Sequence, residues 1–149
     1  MQRKNSNYIQ GVFTPNNPKK YKGSLPIFYR SSLELKVFRT IDQNPNIMSW
    51  GSESVVIPYI SPVDNKIHRY FVDLNLTLLS NNKYEKYLVE IKPYMQTIAP
   101  TISTRKKPQT VLYEKVTYSV NQAKWKAAEI WCAKHNYKFI IYTEKHLKS

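Results

Sequence analysis

The sequence predicts an α/β fold in which one mixed sheet is flanked by helices, in the order helix, three strands, helix, strand. Apolar residues recur at helical spacing in residues 31–41 and 119–135. Four runs rich in β-branched or aromatic residues lie between and after these two segments. Such an order of elements is typical of layered α/β domains. With 149 residues, the chain is long enough for one domain with its own core.

The charge balance indicates an anionic partner. The chain has 23 Lys and Arg against 10 Asp and Glu, a formal net charge of +13. So large an excess repels itself unless a partner offsets it, and nucleic acid is the leading candidate. Composition alone leaves two alternatives open, a merely soluble basic surface and a protein that binds anionic membranes. No run is long and apolar enough for a membrane span or a signal peptide, so we expect a soluble intracellular protein without membrane insertion.

The first 30 residues are predicted to form an extended basic arm, separate from a domain over residues 31–149. They contain six basic residues and no acidic residue. One interpretation is a solvated tail, and the other is a segment that contacts the phosphates of a nucleic acid. The candidate phosphate contacts are Lys19, Lys20 and Lys22.

The first helix is predicted over residues 31–41. Ser31 and Glu34 form a Ser-x-x-Glu capping signature, which is typical of a helix N-terminus. Asn44-Pro45-Asn46 ends the helix. Its apolar face consists of Leu33, Val37, Phe38 and Ile41.

Three strands are predicted next, over residues 55–60, 68–78 and 84–92. The first contains Pro58, which favours a sheet edge or a strand end. The other two form a hairpin around a turn at residues 80–83.

The hairpin predicts which residues face each other. If Asn81-Asn82 forms a two-residue turn, paired positions sum to 163. Asp73 then lies opposite Glu90, Leu74 opposite Val89, and Val72 opposite Ile91. Because side chains alternate along a strand, Val72, Leu74 and Leu76 face the core, whereas Asp73, Asn75, Glu90 and Lys92 share the other face.

The remainder of the chain is predicted as a long basic loop, a helix and a strand. Residues 93–112 contain three prolines around Arg105-Lys106-Lys107, a candidate DNA contact. The second helix opens at Ser119 and continues to His135, and the last strand covers residues 138–143. Within this helix, Cys132 is expected to be a small buried apolar residue. The three histidines lack partners at zinc-ligand spacing.

The opposed carboxylates indicate metal chemistry. Directly opposed strand residues have Cβ atoms about 4.5–5.5 Å apart, and two like charges there destabilise the sheet unless something neutralises them. Mg²⁺ or Mn²⁺ bound to Asp73 and Glu90 would do so, and Lys92 could stabilise charge on a phosphate or orient the attacking water. The alternative is that both acids are exposed strand residues paired with lysines, and a bulge would shift the register. Glu34 is explained equally well as a helix cap.

The order of these residues resembles the PD-(D/E)XK nuclease superfamily. An acid in the first helix, an Asp in the second strand and Glu-Ile-Lys in the third agree with the restriction-endonuclease-like αβββαβ core of that superfamily. More narrowly, residues from about 18 to about 146 resemble the head-completion nucleases of T-even-type tailed bacteriophages. A more distant likeness is the N-terminal nuclease domain of the heteromeric cut-and-paste transposase. Val72 stands where the superfamily has a proline. The motifs are Trp50-Gly51-Ser52-Glu53, Val56-Ile57-Pro58-Tyr59, Arg69-Tyr70-Phe71-Val72-Asp73, Val89-Glu90-Ile91-Lys92-Pro93 and residues 118–128.

The resemblance implies an active site and an activity. Asp73 and Glu90 would hold Mg²⁺ (or Mn²⁺), Glu34 would contribute to a metal or its water shell, and Lys92 would serve the water and the phosphate. Ser52, Glu53 and Gln122 match the family motifs and are accessory candidates without a role that the residues themselves supply. The implied activity is metal-dependent DNA endonuclease action in phage head completion.

The resemblance also implies a setting. DNA and the proteins of the phage head or portal vertex would be partners, and double-strand cleavage would need a homodimer or two visits. The protein would act in the host cytoplasm during assembly, or be carried in the virion head. Two alternatives stay open: a structural, DNA-binding head or neck component that retained the nuclease fold, and a host-directed nuclease or resolvase.

Overall fold

The structure, a computed structural model, describes residues 10–147. Short 3₁₀ turns accompany the regular elements at residues 18–20, 94–96 and 144–147. The helices are α1 (Ser32–Gln43) and α2 (Pro108–His135). The strands are β1 (Gly11–Phe13), β2 (Ile27–Tyr29), β3 (Ile47–Ser52), β4 (Val56–Ile60), β5 (Ile67–Phe71), β6 (Leu74–Ser80), β7 (Lys83–Ile91) and β8 (Lys138–Tyr142).

A four-stranded mixed sheet of order β3-β6-β7-β8 lies at the centre, with β7 and β8 parallel and the other pairs antiparallel. This confirms the predicted α/β class. Strand β3 was not predicted, because its Ser and Gly residues have low β-propensity. The predicted first strand, β4, lies outside this sheet and pairs with β5 in a separate two-stranded ribbon.

The predicted hairpin register is confirmed from Leu74 opposite Val89 to Ser80 opposite Lys83. The predicted second strand, however, is two strands, because the chain breaks at Val72-Asp73. There the Val72 backbone N–H donates to the carbonyl of Val55 instead of continuing the ladder. Placing Val72 on the same face as Leu74 was therefore wrong, since the two side chains pack in different clusters.

Each face of the central sheet covers its own apolar core. One core lies between the sheet and α1 and includes Phe38, Trp50 and Leu74. The other lies under α2 and includes Leu88 and Trp125. The face predicted to be polar is therefore partly covered by α2, and this cover decides the environment of Glu90. Cys132, 3% exposed, lies in this second core as predicted.

Residues 10–30 are not an extended arm. Strands β1 and β2 pair in antiparallel register, and Phe13 (8% exposed) and Ile27 (1% exposed) pack into the core beside α1. Tyr21 bridges to Trp50. The prediction was wrong for this stretch because it was based on the basic residues and did not consider that a few apolar residues could pack into the core. The remainder of the predicted arm, residues 1–9, lies outside the described residues.

Lys20 stabilises the end of α1. Its Nζ donates to the carbonyl oxygens of Ile41, Asp42 and Asn44 at 2.9, 2.9 and 2.8 Å. Carbonyls in the last turn of a helix lack intrahelical partners, and a cation there is favourable. The ammonium group that we predicted to contact phosphate is therefore already bound to the protein's own backbone. Lys19 and Lys22 are exposed.

Substituting Lys20 by Met is expected to lower the free energy of unfolding by about 1–3 kcal/mol, because hydrogen bonds from a charged donor are lost. Chemical denaturation measures the change. The matched control is Lys19→Met at the neighbouring exposed position, which should stay within about 0.5 kcal/mol of the parent. Equal effects of the two substitutions would show that the helix end does not depend on Lys20.

Helix α2 begins at Pro108, 11 residues before the predicted Ser119, so residues 108–112 are helical and not part of the loop. Pro in the first turn needs no N–H partner, which explains the start. Asn136, with a left-handed φ of 60°, ends the helix. No helix within residues 10–147 combines the length and the apolar character needed to cross a bilayer.

Candidate active site

Asp73 and Glu90 meet at the end of the β6–β7 hairpin, as the register predicts. Asp73 lies in the break between β5 and β6, and Glu90 is the last residue but one of β7. The two carboxyl groups lie within hydrogen-bonding reach of each other. The Asp73 Oδ2 also accepts from the backbone N–H of Ile91 at 2.8 Å. The backbone at this strand end therefore helps to position the Asp73 carboxyl group.

Glu90 is buried under α2, with 5% of its surface exposed. Its Oε2 accepts from the hydroxyl of Tyr70 at 2.5 Å and from the indole Nε1 of Trp125 at 2.8 Å. Burial opposes ionisation of Glu90, but the hydrogen bonds from Asp73, Tyr70 and Trp125 and the charge of Lys92 outweigh it and lower its pKa. Glu90 is thus the ionised member of the pair. Its alternative interpretation as an exposed strand residue was wrong.

Asp73 is the protonated member of the pair. Burial raises its pKa well above the ordinary value, and the hydrogen bond and negative charge of Glu90 raise it further. Two carboxyl groups so close together cannot both ionise easily, so they share one proton. A divalent cation bound between the two carboxylates would replace the single positive charge of that proton with two.

Glu34 belongs both to the helix cap and to the site. Its backbone N–H donates to the Ser31 Oγ at 3.1 Å, and its carboxylate accepts from the backbone N–H of Arg30 at 2.7 Å. Burial raises the pKa of Glu34 above its ordinary value. The hydrogen bond and the charge of Arg30 lower this pKa, the negative charge of Glu53 raises it, and the positive charge of Lys92 lowers it. The negative charge of Glu34 in turn raises the pKa of Asp73. The two interpretations of Glu34 are therefore compatible.

Lys92 follows β7, and its backbone N–H donates to the carbonyl of Tyr142 on β8. This bond fixes the backbone position of the residue beside the carboxylates. The positive charge of Lys92 lowers the pKa of both Glu90 and Glu34. The structure therefore brings together the four residues that the sequence predicted as the catalytic set.

Of the three accessory candidates, Glu53 contacts this set directly. Glu53 has a positive φ of 53°, its backbone N–H donates to the carbonyl of Asp73 at 3.1 Å, and its carboxylate pairs with the Arg30 guanidinium. Ser52 precedes it at the end of β3. Gln122 is exposed, whereas its neighbour Asn121 is buried.

Sequence reasoning missed Arg30, Tyr70, Trp125 and Asn121. Arg30 directly precedes the cap of α1, where a basic residue looks like part of the arm. Tyr70 and Trp125 resemble ordinary core residues, and only the fold shows that their polar atoms converge on Glu90. Their position within two of the family motifs was the available signal.

The basic loop places its three predicted DNA contacts differently. Arg105 and Lys107 are exposed. Lys106 is half-buried and pairs with Glu114 of α2 at 2.8 Å. Its charge therefore has a partner in the fold, while the other two cations are open to solvent.

The donor set fits a hard divalent cation. The carboxylates of Asp73 and Glu90 supply oxygen ligands, which Mg²⁺ prefers, with water completing the shell. Within residues 10–147, no three acidic, histidine or cysteine side chains form a complete ligand cluster. The contribution of Glu34 to a metal or its water shell stays a prediction.

The shared proton predicts a pH effect on stability. In metal-free protein, Asp73 holds its proton more tightly when folded than when unfolded, because its folded pKa is raised above 3.8. The resulting stabilisation is complete below that pH and is lost as the pH rises through the raised pKa. Asp73→Asn mimics the protonated acid, so above neutral pH it should raise the free energy of unfolding by on the order of 1 kcal/mol or more.

Denaturation in a chelator at several pH values measures this difference between Asp73→Asn and the parent. The exposed Glu129 of α2, changed to Gln, serves as the control and should follow the parent at every pH. An Asp73→Asn protein that is no more stable than the parent above neutral pH would contradict a shared proton.

Comparisons with known proteins agree with this geometry. Residues 44–144 match the family model described as TnsA-like endonuclease N terminal. The chain belongs to this TnsA-like endonuclease family. It is also 37% identical, over 143 residues, to the head completion nuclease of Enterobacteria phage T4, with 93% of each chain covered.

The TnsA-like match confirms the predicted resemblance and is consistent with a restriction-endonuclease-like fold. The match begins after α1, so it includes Asp73, Glu90 and Lys92 but not Glu34. The matched region therefore covers the carboxylate pair, while the cap of α1 lies outside it.

Proposed function

We propose that this protein is a Mg²⁺-dependent DNA endonuclease that acts in phage head completion. The observation that carries the proposal is the pair of adjacent carboxyl groups, half-buried Asp73 and buried Glu90, beside Lys92. Membership of a TnsA-like endonuclease family supports nuclease chemistry. The phage T4 relative, a head completion nuclease, supports the setting.

Each residue of the site has a distinct role in the proposed hydrolysis. Bound Mg²⁺ (or Mn²⁺) would lower the pKa of a water and stabilise charge on the phosphate. Asp73 and Glu90 would hold it, and Glu34 would orient its water shell. Tyr70 and Trp125 keep the Glu90 carboxylate in place through their hydrogen bonds. Lys92 would stabilise the negative charge that develops on the phosphate oxygens.

The DNA backbone would be held by exposed cations. Lys19 and Lys22 extend from the folded N-terminal segment, and Arg105 and Lys107 lie just before α2. Phosphate contacts of this kind give affinity without sequence choice. The other partners that we propose, by analogy with the T4 relative, are proteins of the phage head or portal vertex, met in the host cytoplasm or in the virion.

A structural head or neck component that only binds DNA is the second candidate. Burying two acids that must share a proton destabilises a fold, and a protein that only binds DNA gains nothing from the arrangement. The buried pair therefore favours the catalytic function. Cleavage of both strands would require two copies or two visits.

Incubation of the purified protein with covalently closed circular DNA tests the proposal. We expect nicking or linearisation with Mg²⁺ and none with a chelator. Since the circle has no ends for an exonuclease, any cleavage must be endonucleolytic. Binding of the circle without cleavage at any Mg²⁺ or Mn²⁺ concentration would favour the structural component instead.

The salt dependence of DNA binding tests the role of the exposed cations. Each phosphate contact contributes about 0.9 to the slope of log affinity against log salt. The double substitution Arg105→Gln, Lys107→Gln should therefore reduce the slope by about 2. Lys83→Gln, at the opposite end of β7 from Glu90, is the control and should leave the slope unchanged. A slope equal to that of the parent would exclude phosphate contacts from the loop.

A further inference from the structure

A cavity of about 370 Å³ lies between the segment that follows Lys92 and the first half of α2, and it plays no part in the proposed hydrolysis. One wall is residues 95–101, which follow directly from Lys92 and Pro93. The other wall is the first half of α2, which leads to Trp125 and so to Glu90. Both walls are thus continuous in the chain with elements of the active site, and Asn121 in the lining is one helical turn from Trp125, which contacts Glu90.

The cavity has an apolar and aromatic lining that is unusually open to solvent. Met95 and Tyr113 are each 71% exposed, and Ile98 is 39% exposed. Its volume lies in the range of about 300–1,000 Å³ that is typical of sites for small organic groups. Exposed apolar surface beside a polar catalytic site indicates a binding site for a flat, partly apolar group.

Asn121 contributes a polar carboxamide group to this lining. It is 6% exposed and lines the cavity one helical turn before Trp125. Its side chain makes no hydrogen bond within residues 10–147, although buried carboxamides are normally paired. A carboxamide presents a donor and an acceptor side by side. From the wall of the cavity it can pair with a ligand that presents an acceptor and a donor side by side, as the edge of a nucleobase does.

The charged residues that line the cavity do not favour a simple anion as the ligand. Lys106 lies in the lining, but its ammonium group pairs with Glu114, which lines the cavity too. An ion pair offers little net positive charge to a free phosphate. Lys106 also approaches the carbonyl of Thr101 at 3.5 Å, so the pair holds the loop against α2.

We propose that this cavity binds one unpaired nucleobase of the DNA, next to the phosphodiester bond that is cut. The base would stack on Tyr113 and pair with the Asn121 carboxamide, as enzymes do with unstacked bases. The proposal rests on the nuclease function proposed above and adds a substrate class: DNA with unpaired bases, such as single-stranded overhangs or frayed ends.

Binding measured in a chelator tests the cavity without cleavage. The probes are a blunt duplex and the same duplex with a short overhang that carries 2-aminopurine. We expect the parent to bind the overhang about tenfold more tightly, the scale of one stacked base, and to change the 2-aminopurine fluorescence. Tyr113→Ala and Asn121→Leu should bring the affinity ratio towards one and leave binding of the blunt duplex unchanged. Tyr84→Ala, at an exposed tyrosine far along β7 (69% exposed), is the control.

The outcomes separate the two proposals. Equal affinity of the parent for both probes would overturn the cavity proposal, as would an affinity ratio that Tyr113→Ala leaves intact; either result would be expected if the cavity receives an apolar segment of a protein. Because Tyr113 is exposed, its substitution stays informative even if Asn121→Leu fails to fold. A preserved preference without Mg²⁺-dependent cleavage would support the cavity and contradict the nuclease. Cleavage without any preference would do the reverse.

Discussion

Substituting Asp73 by Asn is expected to reduce Mg²⁺-dependent cleavage by about 10³-fold or more. A metal in such a site contributes several kcal/mol to the transition state, and about 1.4 kcal/mol corresponds to each tenfold change in rate. Asn keeps the size of the side chain and can still accept from the Ile91 N–H, as the Asp73 Oδ2 does. The loss should therefore come from charge and not from misfolding.

Single-turnover cleavage of closed circular DNA measures this effect, with DNA affinity in a chelator as the control. We expect Asp73→Asn to bind DNA about as tightly as the parent, because Asp73 holds a proton in the metal-free protein and its replacement by Asn leaves the charge of the site unchanged. Glu90→Gln should lose cleavage as well. Undiminished cleavage in either variant would remove that carboxylate from the catalytic set.

Substituting Ile27 by Ala is expected to lower the free energy of unfolding by about 2–5 kcal/mol, as for other large-to-small changes in a core. Ile27 is 1% exposed and packs in the core beside α1. The expectation follows only from the observed fold, because an extended basic arm would place this residue in solvent. Urea denaturation followed by circular dichroism measures the change.

Phe28 gives the matched control, because it is the next residue of β2 and is 52% exposed. Phe28→Ala should change the free energy of unfolding far less than Ile27→Ala does, although it removes more atoms. If the two substitutions have equal and small effects, residues 10–30 do not belong to the folded domain.

Local rules predicted the hairpin and the site that depends on it. A two-residue turn at Asn81-Asn82, both with positive φ (50° and 61°), fixes the register, and the register brings Asp73 beside Glu90. Alternation along β7 then places Lys92 on the same side. Contacts within one hairpin depend on short-range geometry, and one sequence is sufficient to specify them.

Long-range packing explains what the sequence did not predict. Strand β3 gains its stability from pairing with β6, not from its own composition. The break at Val72 follows from a hydrogen bond to Val55, which directly precedes β4 and lies outside the central sheet. The hydrogen bonds to Glu90 join β5 and α2 across the second core. Each of these contacts joins segments far apart in the chain, where patterns of polar and apolar residues say nothing about partners.

The same reason explains the error at the N-terminus. Basic and proline-rich composition is typical of an arm, but two buried apolar side chains are enough to anchor such a segment to a core. Phe13 packs edge-on against Phe38 and lies beside Trp50. Composition predicted a DNA contact for Lys20, but its ammonium group instead binds the carbonyl oxygens at the end of α1.

Proton release on Mg²⁺ binding tests the central claim most directly, namely that a divalent cation replaces the proton shared by Asp73 and Glu90. Calorimetric titration in two buffers of different ionisation enthalpy counts the protons. Below the raised pKa of Asp73, we predict release of about one proton per bound Mg²⁺, and none from Asp73→Asn. Mg²⁺ binding with equal proton release from the parent and Asp73→Asn would contradict the claim.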